Sequence, residues 1–145
     1  MKVQSGRHYS AIDVGAWDAL SQYHVEQPIH FRGKVFLSEL LGLTGMEVSL
    51  NCLVAGETMP FTHRHHEHEE LYVFVGGHGQ FQVDDLIIPV HEGTAIRVSP
   101  QGERAWRNNS TEDLYYMVIQ AKADSLTETT FHDGELVSNT VSWPE

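Results

Sequence analysis

Four histidines and three glutamates crowd into residues 63–70, which read HRHHEHEE. In an extended strand alternate side chains share a face, so His63 and His65 can aim two imidazoles at one point while Arg64 faces away. Glu70 opens the following apolar segment and can be held on the same side. Two neutral imidazoles and one carboxylate suit a transition metal such as Fe, Mn, Ni, Co, Cu or Zn. The spacing predicts a metal site, with a solvated histidine-rich turn as the alternative.

The remaining histidines of this segment have a less defined place. His66 and His68 form a second pair at the same spacing, within the predicted turn. A zinc-peptidase helix would require His-Glu-x-x-His, but Glu70 stands where the second histidine is needed. Pro60 also favours extended backbone just upstream. Strands, rather than a helix, must therefore position the candidate ligands.

The sequence from Lys34 onward has the pattern of such strands. Apolar and polar residues alternate in short segments that end at Gly, Asp or Asn. The predicted strand segments are 34–40, 46–55, 70–75, 80–90 with a turn at Asp84-Asp85, 94–99 and 113–121. Short strands at this spacing are typical of an all-β sandwich or barrel.

Three regions are predicted along the chain. An N-terminal extension, residues 1–30, contains one short helix, with Asp13 as its N-cap and Trp17, Leu20 and Tyr23 on one face. Residues 31–121 form the β domain. Residues 122–145 form a polar tail, interpreted as an extra strand or as an arm that crosses a partner subunit.

Composition excludes several partners. The formal net charge is −11, from 9 basic and 20 acidic residues, which disfavours binding to nucleic acid or to an anionic membrane surface. No apolar run approaches the ~20 residues of a membrane span, and the first residues do not resemble a signal peptide. We therefore expect a cytoplasmic protein. The single cysteine, Cys52, lies in an apolar alternating segment and is predicted to be a buried, inert thiol.

The histidine segment resembles the first motif of the cupins, the RmlC-like jelly-roll superfamily. Gly56 precedes His63 and His65, four residues separate His65 from Glu70, and six residues separate Glu70 from Gly77. The resemblance covers about residues 34–121. It implies an antiparallel cupin-type β-barrel (double-stranded β-helix or jelly roll), commonly a homodimer, with His63, His65 and Glu70 as metal ligands.

The second cupin motif is only partly present. Gly93 and Pro100-Gln101-Gly102 match it, and Asn109 occupies its final position, but Ala105 stands where the motif has a metal-binding histidine. Three outcomes stay open: a three-ligand site with open positions, a substitute ligand, or a cavity without metal. The candidate substitutes are His66, His68, His78 and His91.

The resemblance implies a metal-dependent enzyme, dioxygenase-like or isomerase-like, acting on a small organic substrate, either neutral or anionic. The metal would be a divalent transition ion such as Fe, Mn, Ni or Zn. Arg104 is the candidate catalytic residue because a guanidinium can orient a carboxylate or phosphate, and the alternative is a solvated rim residue. The alternatives to an enzyme are a small-molecule binding or sensing module and a structural scaffold.

Overall fold

Antiparallel strands dominate the structure, a computed structural model that describes residues 1–145. The strands before the histidine segment are β1 Val3–Gly6, β2 Tyr9–Ile12, β3 His24–Val25, β4 Phe31–Arg32, β5 Lys34–Phe36 and β6 Glu47–Leu53. Those that follow are β7 His68–Gly76, β8 His78–Val83, β9 Leu86–His91, β10 Ala95–Val98, β11 Arg104–Arg107 and β12 Leu114–Lys122. The helices are a 3-10 helix, Trp17–Gln22, and α1, Ser38–Leu41.

The strands form two main sheets. One has five strands in the order β10-β7-β12-β6-β5, and the other has three in the order β11-β8-β9. Hairpins β1–β2 and β3–β4 are separate. Isolated bridges pair Thr58 with Arg107 and His63 with Arg104, so the segment before β7 runs beside β11. The predicted all-β jelly roll is thus confirmed, and its strands lie in two main sheets rather than in one closed barrel.

The main core lies between these two sheets. Its aromatic centre combines Tyr72 and Phe74 of β7 with Phe81 of β8 and Trp106 of β11. Phe81 and Trp106 stack with ring centroids 5.8 Å apart, and Tyr72 meets Trp106 at 5.1 Å. Aromatic pairs of this kind add roughly 0.5–1.5 kcal/mol beyond area burial. Packing therefore fixes β7 and β11, the two strands nearest the histidine segment, against each other.

Most predicted strands are confirmed, including the hairpin that turns at Asp84-Asp85. The predicted strand over residues 34–40 is wrong in its second half, because β5 ends at Phe36 and α1 begins at Ser38. The Ser38 backbone N–H donates to Glu47 Oε1 at 3.0 Å, which satisfies one free amide of the first turn. Gly42, with φ +68°, ends this helix in a left-handed conformation.

The predicted N-terminal α-helix is also wrong, since the structure has only a 3-10 helix there. Asp13 does not cap it; its Oδ1 accepts a hydrogen bond from the Gly15 N–H at 2.9 Å and closes a turn. The three-residue spacing of Trp17, Leu20 and Tyr23 matches a helix with three residues per turn. Leu20 fills a second core beside Val35 and Cys52.

Cys52 is buried as predicted, with 2% of its surface exposed. Burial first, and the nearby Asp113 carboxylate second, raise the pKa of its thiol to about 11. The thiolate is the reactive form, so this residue has a packing role.

The tail beyond β12 contains turns but no strand, which excludes the extra strand. Its apolar side chains, including Leu136 and Trp143, are exposed. An arm across a partner subunit stays a prediction, as do the boundaries of the three regions. No helix of the chain has the length and apolar character that a membrane crossing requires.

Candidate metal centre

Backbone pairing sets the direction of the first two candidate ligands. The His63 N–H donates to the Arg104 carbonyl at 3.1 Å, and the Arg104 N–H donates to the His63 carbonyl at 3.0 Å. The His65 N–H donates to the Pro100 carbonyl at 2.9 Å. The segment is therefore extended, and its alternation points both imidazoles to one side. Glu70 comes from the neighbouring strand β7, where it is almost completely buried.

The three side chains meet at one carboxylate oxygen. His63 Nε2 and His65 Nε2 each lie 3.2 Å from Glu70 Oε1. The two imidazole rings are 5.2 Å apart and nearly perpendicular, at 83°. The Tyr72 hydroxyl donates to the same Glu70 oxygen at 2.7 Å and holds the carboxylate in place. One potential ligand atom from each of the three lies within 4.8 Å of the others, as the spacing predicts.

The protonation states of this cluster suit a cation. Burial opposes ionisation of Glu70, but hydrogen bonds from His63 and Tyr72, together with the electrostatic influence of the two nearby imidazoles, lower its pKa to about 2. Burial is also the main cause that lowers the pKa of His65. At neutral pH the carboxylate is therefore charged and His65 is neutral, the forms in which these groups bind metals.

Two ring nitrogens of this cluster are buried without a hydrogen bond, His65 Nε2 and His63 Nδ1. Such atoms are rare, because a buried polar group without a partner costs roughly 1–3 kcal/mol. His65 Nε2 faces the Glu70 carboxylate but is not aligned for a hydrogen bond with it. A cation bound between the two groups would satisfy this nitrogen, so the donor set fits a divalent transition metal.

The candidate substitute ligands do not join the cluster. His68 is half-buried, and its Nδ1 lies 2.8 Å from Gln120 Oε1. Its ring stacks on that of His65 with centroids 6.1 Å apart. His66, His78 and His91 are exposed. The structure thus brings together His63, His65 and Glu70 alone.

Strand β11 turns Arg104, rather than Ala105, toward the candidate ligands. Ala105 faces away from the cluster into a groove that it shares with Gln80 and Gln82. Arg104 faces the cluster from the side of Glu70. Asn108, rather than the exposed Asn109, is the buried asparagine. Its side-chain amide donates to the carbonyls of Leu53 at 2.9 Å and Glu112 at 2.7 Å.

Arg104 is completely buried, so its interpretation as a solvated rim residue is wrong. Its Nη2 donates to the Ser99 carbonyl at 3.0 Å, and its Nε lies 3.8 Å from Glu70 Oε1. Nε and Nη1 have no hydrogen-bond partner. The guanidinium therefore lies behind Glu70 as a buried countercharge.

An open cavity of about 590 Å³ reaches the cluster. Its walls are largely apolar and include Phe31, Phe61, Met59 and Val118. Arg104 does not line the cavity, and Lys34 is its only lysine or arginine. A cavity of this size and character suits a small organic molecule.

Sequence analysis missed Lys34. Its Nζ donates to Ser49 Oγ and Asn51 Oδ1, each at 2.9 Å. Burial, partly offset by Glu70 and Glu47, lowers the pKa of Lys34 to about 8. The sequence shows only that polar and apolar residues alternate along β6, and in the structure the polar residues Ser49 and Asn51 are buried. The pairing of β5 with β6 places Lys34 opposite Asn51, so the lysine lies on the same face of the sheet as these polar residues.

Comparisons with known proteins agree on one family. The family model for the cupin domain matches residues 50–120. A cupin protein from Bacteroides fragilis is 32% identical with a TM-score of 0.76, and the match covers 91% of this chain and 99% of that one.

Two more distant structures share the fold. A protein from Photorhabdus luminescens is 22% identical with a TM-score of 0.62, and the match covers 79% of this chain and 89% of that one. A protein with a double-stranded β-helix domain from Klebsiella pneumoniae is 10% identical with a TM-score of 0.58, over 79% and 94% of the two chains. No curated protein matches the chain.

Proposed function

The chain belongs to the cupin family, and we propose that it is a metal-dependent enzyme acting on a small, mainly apolar molecule with one anionic group. The observation that carries this proposal is the convergence of His63, His65 and Glu70 where they line an apolar cavity. In a binding module without a metal, the buried His65 Nε2 beside Glu70 would stay without a partner.

His63, His65 and Glu70 would hold the metal, and Tyr72 would orient the carboxylate. A divalent transition metal supplies a Lewis acid with coordination positions left for a substrate or water. The chain contributes a neutral His65 and an ionised Glu70, so metal binding at neutral pH does not first require the removal of a proton from either group. We propose dioxygenase-like or isomerase-like chemistry at this centre.

Lys34 points to an anionic substrate. It supplies the only ammonium or guanidinium group on the cavity wall, and its pKa of about 8 leaves it mostly protonated at pH 7. Two of its three donor hydrogens are directed at Ser49 and Asn51, which leaves one for a ligand. We therefore assign substrate orientation to Lys34, in place of the role first given to Arg104.

A non-catalytic binding or sensing cupin is the second candidate, and Arg104 favours it. A buried cation beside Glu70 disfavours a metal cation nearby. Under this alternative the countercharge of Arg104 would stabilise Glu70 without metal, and the cavity would hold its ligand through Lys34 alone. We further propose a homodimer in the cytoplasm without nucleic-acid partners, which sedimentation and cell fractionation can test.

Elemental analysis of purified protein tests the proposed metal centre. We expect E70Q and H65Q to lose one equivalent of bound transition metal relative to wild type. H78Q, at an exposed histidine, should keep the wild-type content. Equal metal content in all four proteins would contradict the proposal, and turnover abolished by E70Q would exclude the non-catalytic alternative.

A further inference from the structure

A second group of two histidines and one glutamate lies at the surface, away from the first cluster. His24 is on β3, His30 directly precedes β4, and Glu26 lies in the turn between them. His24 Nε2 lies 3.3 Å from Glu26 Oε1, and His30 Nδ1 lies 3.1 Å from the same oxygen. The two imidazole rings are 5.0 Å apart. We call these three residues the hairpin cluster.

The hairpin cluster repeats the arrangement of the first one. In both, two ring nitrogens flank one carboxylate oxygen at about the same distance, and one potential ligand atom from each side chain lies within 4.8 Å of the others. This donor set suits Zn²⁺, Ni²⁺ and Cu²⁺. We propose that the hairpin cluster is a second divalent-metal site, with water completing the coordination sphere on its exposed side.

The position of this site gives it a role. The hairpin β3–β4 has only two residue pairs, and such a short ribbon has little stability of its own. A metal held by His24 and His30 would join both ends of the turn and restrict its conformations.

The turn also forms part of the cavity of about 590 Å³ beside His63, His65 and Glu70, because Gln27, Pro28 and Ile29 line that cavity. Metal in the hairpin cluster therefore braces one wall of the cavity. Metal binding here does not depend on the proposed function, whereas an effect on ligand binding rests on it.

Calorimetric titration of the metal-free full chain with Zn²⁺ tests the site. We expect two equivalents for wild type and one for H24Q/H30Q. H78Q/H91Q is the matched control, because it also removes two exposed histidines with rings 6.5 Å apart, but these form no cluster with a carboxylate. It should retain two equivalents. Because all four histidines are exposed, we expect both double variants to fold, and circular dichroism checks that they do.

E70Q separates this proposal from the proposed function. If wild type binds one equivalent that H24Q/H30Q loses and E70Q keeps, the hairpin site is supported and the first site fails. If H24Q/H30Q binds as many equivalents as wild type, the hairpin site is overturned. That result stands whatever E70Q shows.

Hydrogen exchange tests the bracing role. Zn²⁺ should slow exchange of the Gln27 and Ile29 amides several-fold in wild type and in E70Q, but not in H24Q/H30Q. Exchange at these amides that Zn²⁺ leaves unchanged in wild type would overturn the bracing role.

Discussion

Arg104 places a buried positive charge beside the proposed metal centre. Its guanidinium Nε lies 3.8 Å from Glu70 Oε1 and opposes a bound cation. R104H exchanges the buried charge for a possible fourth ligand. We expect it to tighten Zn²⁺ binding by at least about tenfold, which corresponds to ~1.4 kcal/mol.

The neighbouring position supplies the control for R104H. Ala105 faces the groove on the other side of β11, so A105H should leave the affinity unchanged. If A105H tightens Zn²⁺ binding and R104H does not, Ala105 rather than Arg104 faces the metal centre.

Tyr72 acts on the metal centre through Glu70. Its hydroxyl donates to Glu70 Oε1, and Y72F removes that donor. Loss of such an outer hydrogen bond typically weakens metal binding about 10–100-fold. We expect this loss in Zn²⁺ titrations of Y72F, together with destabilisation of roughly 1–3 kcal/mol.

Tyr116 separates these two effects of Y72F. Its hydroxyl accepts a hydrogen bond from Trp106 Nε1 at 2.8 Å, so Y116F also breaks a buried hydrogen bond. It should destabilise the fold while leaving metal affinity near the wild-type value. Equal losses of affinity in both variants would assign the effect to general loosening of the core.

Lys34 predicts a pH dependence of stability. Its pKa falls from 10.5 in the unfolded chain to about 8 in the folded protein, so between these values the unfolded chain holds more protons. Stability must rise with pH across that window. We expect the free energy of unfolding of wild type, measured relative to K34M by urea denaturation, to increase from pH 8 to 10.5. K122M, at an exposed lysine, should show no such difference, and a flat difference for K34M would contradict the lowered pKa.

At the scale of the strand, the sequence predicts the elements better than the direction of their faces. β7 and the β8–β9 hairpin follow from alternation, because an apolar row must be buried. Alternation does not reveal the environment of β6, where Ser49 and Asn51 are buried and accept hydrogen bonds from Lys34. The ligand pair His63 and His65 was predictable because alternate residues of any extended strand point to the same side.

The register of β11 could not be predicted from spacing. The turn from Pro100 to Glu103 precedes it. A turn can be one residue longer or shorter without a recognisable sequence pattern, so the first residue of the next strand is uncertain. One residue decides between opposite faces of a strand, so it decides between Ala105 and Arg104 as the group beside Glu70.

The 3-10 helix is the element whose side chain closes the second core. Leu20 is 1% exposed and packs with Val35 and Cys52, behind β5 and β6. L20A should destabilise the protein by about 2–5 kcal/mol in urea denaturation. L126A, in the tail with 73% exposure, should change stability by less than ~0.5 kcal/mol. Similar effects of the two would show that this helix is not packed on the sheet.

At the scale of the whole molecule, the proposed metal centre at His63, His65 and Glu70 would join the two main sheets. His63 and His65 are held beside β11 in one sheet, and Glu70 belongs to β7 in the other. Unfolding must separate these groups, so metal binding there is linked to global stability. The hairpin cluster is different, because its three residues lie within seven positions of one small hairpin, 24–30. That hairpin can open while the sheets stay packed.

This difference predicts unequal effects of Zn²⁺ on thermal unfolding. A ligand at about 100 times its Kd stabilises the folded state by ~2.7 kcal/mol, which for a domain of this size raises Tm by roughly 6–10 °C. H24Q/H30Q should keep most of that shift, whereas E70Q should lose most of it. Differential scanning calorimetry with and without Zn²⁺ measures both. A shift that survives E70Q and disappears in H24Q/H30Q would mean that the hairpin, rather than the junction between the sheets, limits the stability of the fold.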